Sequence, residues 1–360
     1  MSLLWMDYAE EFQSLVDAAF QCEKDGTSEC LVARSPRVEK IIRRDTRYNV
    51  DFLYTSYVLN DDLVMSRYAS WLLTLMRGVL RGRATDDEVA SYVVDHFEFI
   101  REGARRTLDA GKLPQIERLV TCAQESVRAA SNVAPEESMP PMGAQGEHRY
   151  EAEIEQYLDS LFARDIHKAM RLIKGFLGQG IPVNDIYVDI LAESMRRIGE
   201  LWHESKITVD VEHYCTSATQ TTMTQLYLDI FSSKRRGKTI LCACPGAELH
   251  EMGARMVADI FENDGWDSIY LGAAVPEDYL LSAIEENEPD LVALSVTMPQ
   301  FLIDCEAAVH AIRRVFPELA IAVGGGAFAD THDIWKRWPV DLYTADAREL
   351  LNRANELAGA

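Results

Sequence analysis

Lys238-Thr239-Ile240-Leu241-Cys242-Ala243-Cys244-Pro245-Gly246-Ala247-Glu248-Leu249-His250-Glu251-Met252-Gly253 is the stretch that decides the fold. Its first seven residues form a short apolar run, the pattern of a buried strand, and from Gly253 to Phe261 apolar residues return at helical spacing. A strand followed by a helix puts His250 on a β-to-α loop, the rim at which open α/β sheets bind ligands. Glu248, two residues earlier, can accept one ring N–H of His250 and leave the other nitrogen a better metal ligand. A histidine alone in such a loop is more often a cap or a surface residue, so a ligand role needs support from the strand ends further along the chain.

Two further apolar strands supply it. Leu291-Val292-Ala293-Leu294 runs into Ser295-Val296-Thr297, and Ala320-Ile321-Ala322-Val323 runs into Gly324-Gly325-Gly326. Three strand ends on one rim thus offer an imidazole, a pair of small hydroxyls and a loop without side chains. In this order the chain resembles the cobalamin-binding fold of methionine synthase, the mutases and their relatives, whose pattern is Asp-x-His-x-x-Gly, then Ser-x-Leu or Ser-x-Thr, then Gly-Gly. The resemblance implies that His250 is the lower ligand of cobalt and Glu248 its supporting carboxylate. It also implies that Gly253, Ser295, Thr297, Gly324, Gly325 and Gly326 line the cofactor's nucleotide tail. Glu248 stands where the family has Asp, one methylene longer, which puts its hydrogen bond to His250 in question.

Upstream, helical stretches near 150–162, 164–178, 183–202 and 208–232 are joined by short breaks, the pattern of an antiparallel four-helix bundle. Trp202-His203 ends the third and Glu212-His213 opens the fourth, so an aromatic plane, two imidazoles and a carboxylate converge on one junction. A core tryptophan with charged helix ends would look the same in a bundle without a sheet. Beside the sheet, the Trp-x9-Glu-His spacing is similar to that of the CarH-like light-sensing adenosylcobalamin proteins, over roughly residues 150–360. The resemblance implies that Trp202 packs against the upper 5′-deoxyadenosyl group, that Glu212 bonds its ribose and that Val209 shapes the pocket. It further implies that His203 takes the upper cobalt position after photolysis; His213 either belongs to the pocket or only orients Glu212.

The first 130 residues read as all-helical and globin-like, with five or six helices near 5–22, 36–44, 48–58, 61–81, 85–108 and 113–129; Thr85-Asp86-Asp87-Glu88 is a capping box and Pro114 sits in a tolerated first turn. Tyr54, Tyr57, Tyr68, Trp71, Phe97 and Phe99, with His96 and the basic Arg34, Arg37, Arg43, Arg44 and Arg47, are what a tetrapyrrole with propionates requires, although an ordinary helical core with solvated arginines fits the composition as well. The order of helical domain, linker, bundle and sheet looks like that of the photocobilins. That architecture implies biliverdin near His96, with heme through His96 as the competing cofactor and Cys22, Cys30 and Cys122 as candidate attachment points.

The expected domains are residues 1–130 (sensor), 131–148 (a Pro- and Gly-containing linker), 149–235 (bundle) and 236–360 (Rossmann-like, flavodoxin-like parallel sheet). The basic run Lys234 to Lys238 reads as a solvated joint. With 58 acidic against 36 basic residues the formal charge is −22, which repels phosphate backbones and anionic membranes. No signal-like start or membrane-length apolar run is visible, and seven cysteines without paired spacing suit a reducing compartment. The expectation is a cytoplasmic, light-sensing signalling protein rather than an enzyme, with an unidentified downstream partner, no direct nucleic acid, no membrane, and homo-oligomerisation left open. A corrinoid methyl carrier of a methyltransferase system is the alternative.

Overall fold

The computed structural model describes residues 10–26, 35–132, 149–231 and 233–359. Cys30, Arg34 and nearly all of the 131–148 linker lie outside the described residues. The chain divides into two compact units, Met1–Pro140 with Asp330–Ile334, and Pro141–Ala329 with Trp335–Ala360.

In the first unit the described residues form α1 (Glu10–Gly26), α2 (Pro36–Leu59), α3 (Asp62–Val79), α4 (Asp86–Thr107) and α5 (Leu113–Ser131). The two helices expected near 36–44 and 48–58 are one. Ser35 caps the Val38 amide at 3.3 Å, Pro36 sits in the first turn, and no glycine or proline interrupts the chain before Asn60 turns left-handed at φ 49°. The capping box at α4 forms as the spacing predicts: Thr85 N donates to Glu88 Oε2 at 2.7 Å and Glu88 N to Thr85 Oγ1 at 3.3 Å. Phe12, Leu15, Leu53, Met65, Phe97, Ile100 and Leu119 fill the core between the helices.

The second unit begins with α6 (Glu151–Phe162) and α7 (Ile166–Gly178). The third bundle stretch is not a uniform helix. One α turn, α8 (Val183–Asp185), leads into a π-helical segment Ile186–Ala192 before α9 (Glu193–His203), a distortion that apolar spacing does not reveal. The fourth is α10 (Val209–Met223), broken by a 3-10 turn at Thr224–Leu226 before α11 (Tyr227–Ile230).

A five-stranded parallel sheet comes next, with β1 (Thr239–Pro245), α12 (Met252–Asn263), β2 (Asp267–Val275), α13 (Glu277–Asn287), β3 (Leu291–Ser295), α14 (Leu302–Val315), β4 (Ala320–Gly324), β5 (Leu342–Tyr343) and α15 (Ala347–Gly359). Its order is β2-β1-β3-β4-β5. The chain therefore reverses its winding direction between β1 and β3, and the crevice outside their carboxyl ends is where a doubly wound sheet binds ligands. Bundle and sheet share one apolar core: Tyr157, Tyr187, Ile190 and Ile198 belong to the same cluster as Ile240, Phe261, Trp266 and Leu350. The basic run is exposed from Lys234 to Gly237, as expected of a solvated joint, and it is hydrogen-bonded as well. Arg236 N bonds Gly265 O at 2.8 Å and Lys238 Nζ pairs with Asp290 at 2.9 Å, fixing the entry into β1. No described helix is long and apolar enough to cross a membrane.

Candidate cofactor site

Glu248 organises the site from inside. Its carboxylate is fully buried and accepts four hydrogen bonds. Oε1 takes the backbone N–H of His250 at 2.9 Å and Nδ1–H of the same ring at 2.6 Å. Oε2 takes Thr297 N at 2.8 Å and Met298 N at 2.9 Å, from the loop after β3. Burial pushes its pKa up, but the His250 side chain and the backbone donors outweigh that and hold it below the usual glutamate value. The longer arm of Glu248 therefore does reach the ring, and it ties the loops after β1 and β3 together across the switch point.

This fixes the tautomer of His250. A carboxylate can only accept, so Nδ1 carries a proton, and in the neutral ring Nε2 presents its lone pair. Among the described residues no hydrogen bond reaches Nε2, and the side chain is 56% exposed. Leu249 beside it is also exposed. A half-exposed imidazole with one nitrogen locked and the other open is built to hold a metal from one side.

Behind the loop a cavity of about 190 Å³ runs between the sheet and the helices α12 and α15, lined by Gly253, Ser295, Gly324 and Gly325. A Cβ at Gly253 would approach Ser295 Oγ to 3.7 Å. Gly325 has φ +101°, and a Cβ there would fall 2.3 Å from Val296 O, so only glycine fits. The slot has room for a flat heterocycle and not for a macrocycle, which suits a nucleotide tail rather than a corrin ring. Val188 and Ala192 of the π-helical segment, with Thr344 and Asp346 just after β5, also line it. These four carried no motif, and the apolar spacing of the third bundle stretch does not set Val188 and Ala192 apart. Gly326 and Thr297 lie off this wall: Gly326 opens the 3-10 turn Gly326–Asp330, and Thr297 contributes its amide to Glu248.

The bundle residues gather at the α9–α10 junction. Trp202 is partly buried and His203 buried at the end of α9; Val209 is exposed at the start of α10. Glu212 accepts from His213 Nδ1 at 2.5 Å and from Thr216 Oγ1 at 2.9 Å, so His213 orients this carboxylate. Cys242 and Cys244 are buried, and burial pushes the Cys244 thiol up to about 12, which leaves it unreactive.

His96 is placed differently. It lies in the first unit with a side chain only 8% exposed; Nδ1 donates to Glu23 at 3.1 Å and Nε2 accepts from Asn49 Nδ2 at 2.6 Å. Tyr68 OH donates to Asn49 Oδ1 and Tyr92 OH to Glu23 Oε1 at 3.2 Å. The aromatic side chains spend themselves on one another, with Phe52 stacked on Tyr68 at 3.7 Å and Phe12 edge-on to Tyr54 at 4.9 Å. Arg43 pairs with Asp17 and Arg44 with Asp45. Cys22 is buried, and burial raises its thiol pKa.

The donor set of the second unit fits a cobalamin: an open imidazole nitrogen, a carboxylate behind it and a tail-sized slot beside it. Comparison with known proteins agrees. Residues 153–227 and residues 238–348 each match a family described as "B12 binding domain". The chain is 25% identical to the HTH-type transcriptional repressor CarH of Myxococcus xanthus over 272 residues, 75% of this chain and 87% of that protein. It is 28% identical to the repressor CarA of the same organism over 127 residues, 35% of this chain and 44% of that protein. The monomethylamine corrinoid protein of Methanosarcina barkeri has a similar fold, with a TM-score of 0.51, 17% identity, and coverage of 58% of this chain and 99% of its own. Bundle and sheet, each matching a B12 binding domain, together form a cobalamin-binding module that is CarH-like.

Proposed function

We propose that the chain is a light-responsive regulator that holds adenosylcobalamin between the bundle and the rim of the sheet. The observation that carries this is the open Nε2 of His250, set by the buried Glu248 at the switch point beside a tail-sized slot. When bound, adenosylcobalamin supplies a cobalt–carbon bond that visible light breaks. The protein's part is to bind and to respond. His250 would hold cobalt from below, and Ser295, Gly324 and Gly325 would leave space for the tail. Trp202 would form an apolar wall, Glu212, steadied by His213 and Thr216, a polar anchor for the upper group. His203, buried at the same junction, would hold cobalt from above once that group is lost. Replacing a bulky group by an imidazole there moves one helix against another, which is how the state of the cofactor would reach a partner.

A signalling role in the cytoplasm without catalysis, an unidentified downstream protein and self-association belong to this proposal. So does the absence of direct nucleic-acid or membrane contact, for which the formal charge of −22 is the support. The N-terminal helices would act as a second sensor, with biliverdin as the proposed ligand and heme as the alternative; either would have to displace Asn49 from His96 to use that nitrogen. The test is selectivity. Full-length protein should bind adenosylcobalamin more tightly than methylcobalamin, and Trp202→Ala or Glu212→Ala should erase the preference. Equal affinities in the wild type would favour a corrinoid methyl carrier.

A further inference from the structure

Along α12 every fourth residue reaches across to the bundle. Glu251, at the N-terminal boundary of the helix, accepts from Gln220 Nε2 of α10 at 3.2 Å. Arg255 donates to the hydroxyl of Tyr227 on α11. Asp259 accepts from Tyr187 OH of the π-helical segment at 2.7 Å, and Asn263 Nδ2 donates to Asn184 Oδ1 at 3.2 Å. Residues four apart share one helix face, so the seam is a line of four polar contacts on an otherwise apolar joint.

Its first contact differs from the others in two respects. Glu251 comes directly after His250, and its other oxygen is held by β2, from Tyr270 OH at 3.0 Å and Ala273 N at 3.2 Å. Gly272 has φ +84°, and a Cβ there would approach that oxygen to 3.3 Å. Gln220 lies eight residues after Glu212 on the same helix, about 12 Å along a rigid rod. One helix thus carries the proposed anchor of the upper group at one end and a hydrogen bond to the neighbour of the lower ligand at the other.

We propose that Gln220 and Glu251 are positioning residues that couple the upper face of the cofactor site to His250. A helix held in place by the upper group keeps Gln220 on Glu251, and Glu251 keeps the His250 loop set. A helix that moves releases the loop. This rests on the cobalamin-dependent function already proposed and goes beyond it in naming the contact through which the two faces communicate.

The experiment uses full-length protein titrated in the dark with adenosylcobalamin and with methylcobalamin, monitored by absorption. Gln220→Leu removes the donor and should lower the preference for adenosylcobalamin by about tenfold, the scale of one lost hydrogen bond to a charged acceptor, while saturating cofactor still gives the His-ligated spectrum. Gln220→Lys restores a donor and should keep most of the preference. Asn263→Ala, at the far end of the seam, should leave it unchanged. A Gln220→Leu protein that loses affinity for both forms equally, or an Asn263→Ala protein that loses the preference to the same degree, overturns the coupling. A wild type without any preference overturns the proposed function and the coupling with it, so the two failures are distinct.

Discussion

His96 and His250 are each bonded through Nδ1 to a glutamate, yet only His250 presents an open ring nitrogen. The His96 ring is 8% exposed and its second nitrogen is taken by Asn49; the His250 ring is 56% exposed and, among the described residues, its second nitrogen has no hydrogen-bond partner. A carboxylate behind an imidazole sets the tautomer in both, and what separates a ligand from a core residue is the second nitrogen. The first unit uses its histidine to satisfy buried Glu23 and Asn49; the second uses a buried glutamate to aim a histidine outward.

Replacing the two rings should break that comparison most visibly. His250→Ala should weaken cobalamin binding by roughly a hundredfold or more, since altering a ligand's supporting partner alone costs about 10–100-fold, and the bound spectrum should lose its His-ligated character. His96→Ala should leave that spectrum unchanged and lower the unfolding free energy by about 1–3 kcal/mol for each buried group left without a partner. A shifted cobalamin spectrum in His96→Ala would show that the two histidines are not separate in function.

The supporting groups come next. Glu248→Ala should cost about 10–100-fold in cobalamin affinity, and more than an ordinary ligand partner, because Thr297 N and Met298 N lose their acceptor as well. Asn49→Ala exposes the comparison from the other side by freeing His96 Nε2. With the ring still buried, titration with heme should give no six-coordinate spectrum, and the appearance of one would make His96 a latent ligand.

Two buried carboxylates of the second unit should titrate in opposite senses. Glu248 has a lowered folded pKa, so its stabilisation is present above the unfolded value of about 4.3 and is lost as pH falls through the folded value. Asp259, which faces Tyr187, Arg255 and Glu262, is raised by burial to about 6. Its protonated form is favoured by folding, so stability from this group is greatest below the unfolded value near 3.9 and falls by roughly 3 kcal/mol as pH rises to about 6 and beyond. Asp259→Asn should flatten that fall in urea unfolding midpoints measured between pH 4.5 and 7.5. An unchanged pH profile would show that Asp259 does not set it.

Much of the site was legible because it lies where the sequence changes period. The run from Lys238 to Gly253 passes from strand to helix with His250 at the join, and Ser295 and Gly324 end apolar strands that can only be parallel neighbours. The π-helical segment was not legible, because Ile186–Ala192 keeps apolar residues at spacings that also suit a regular helix. The i+4 polar line through Glu251, Arg255, Asp259 and Asn263 looks like a solvated face until Gln220, Tyr227, Tyr187 and Asn184 are seen opposite it. His96 shows the converse. Its aromatic neighbours suggested a pocket, but Phe52 and Tyr68 stack on each other and Asn49 closes the ring, which composition does not reveal.

The central claim is that His250 holds the cobalt of a light-cleavable adenosylcobalamin, and the most direct measurement is the absorption spectrum of full-length protein reconstituted with adenosylcobalamin, in the dark and after illumination. The expected result is a His-ligated adenosylcobalamin spectrum in the dark, absent from His250→Ala, that changes on illumination to a stable form with nitrogen on both faces, absent from His203→Ala. A dark spectrum identical to that of the free cofactor, or a His-ligated spectrum after which light yields only what free adenosylcobalamin yields, would contradict it.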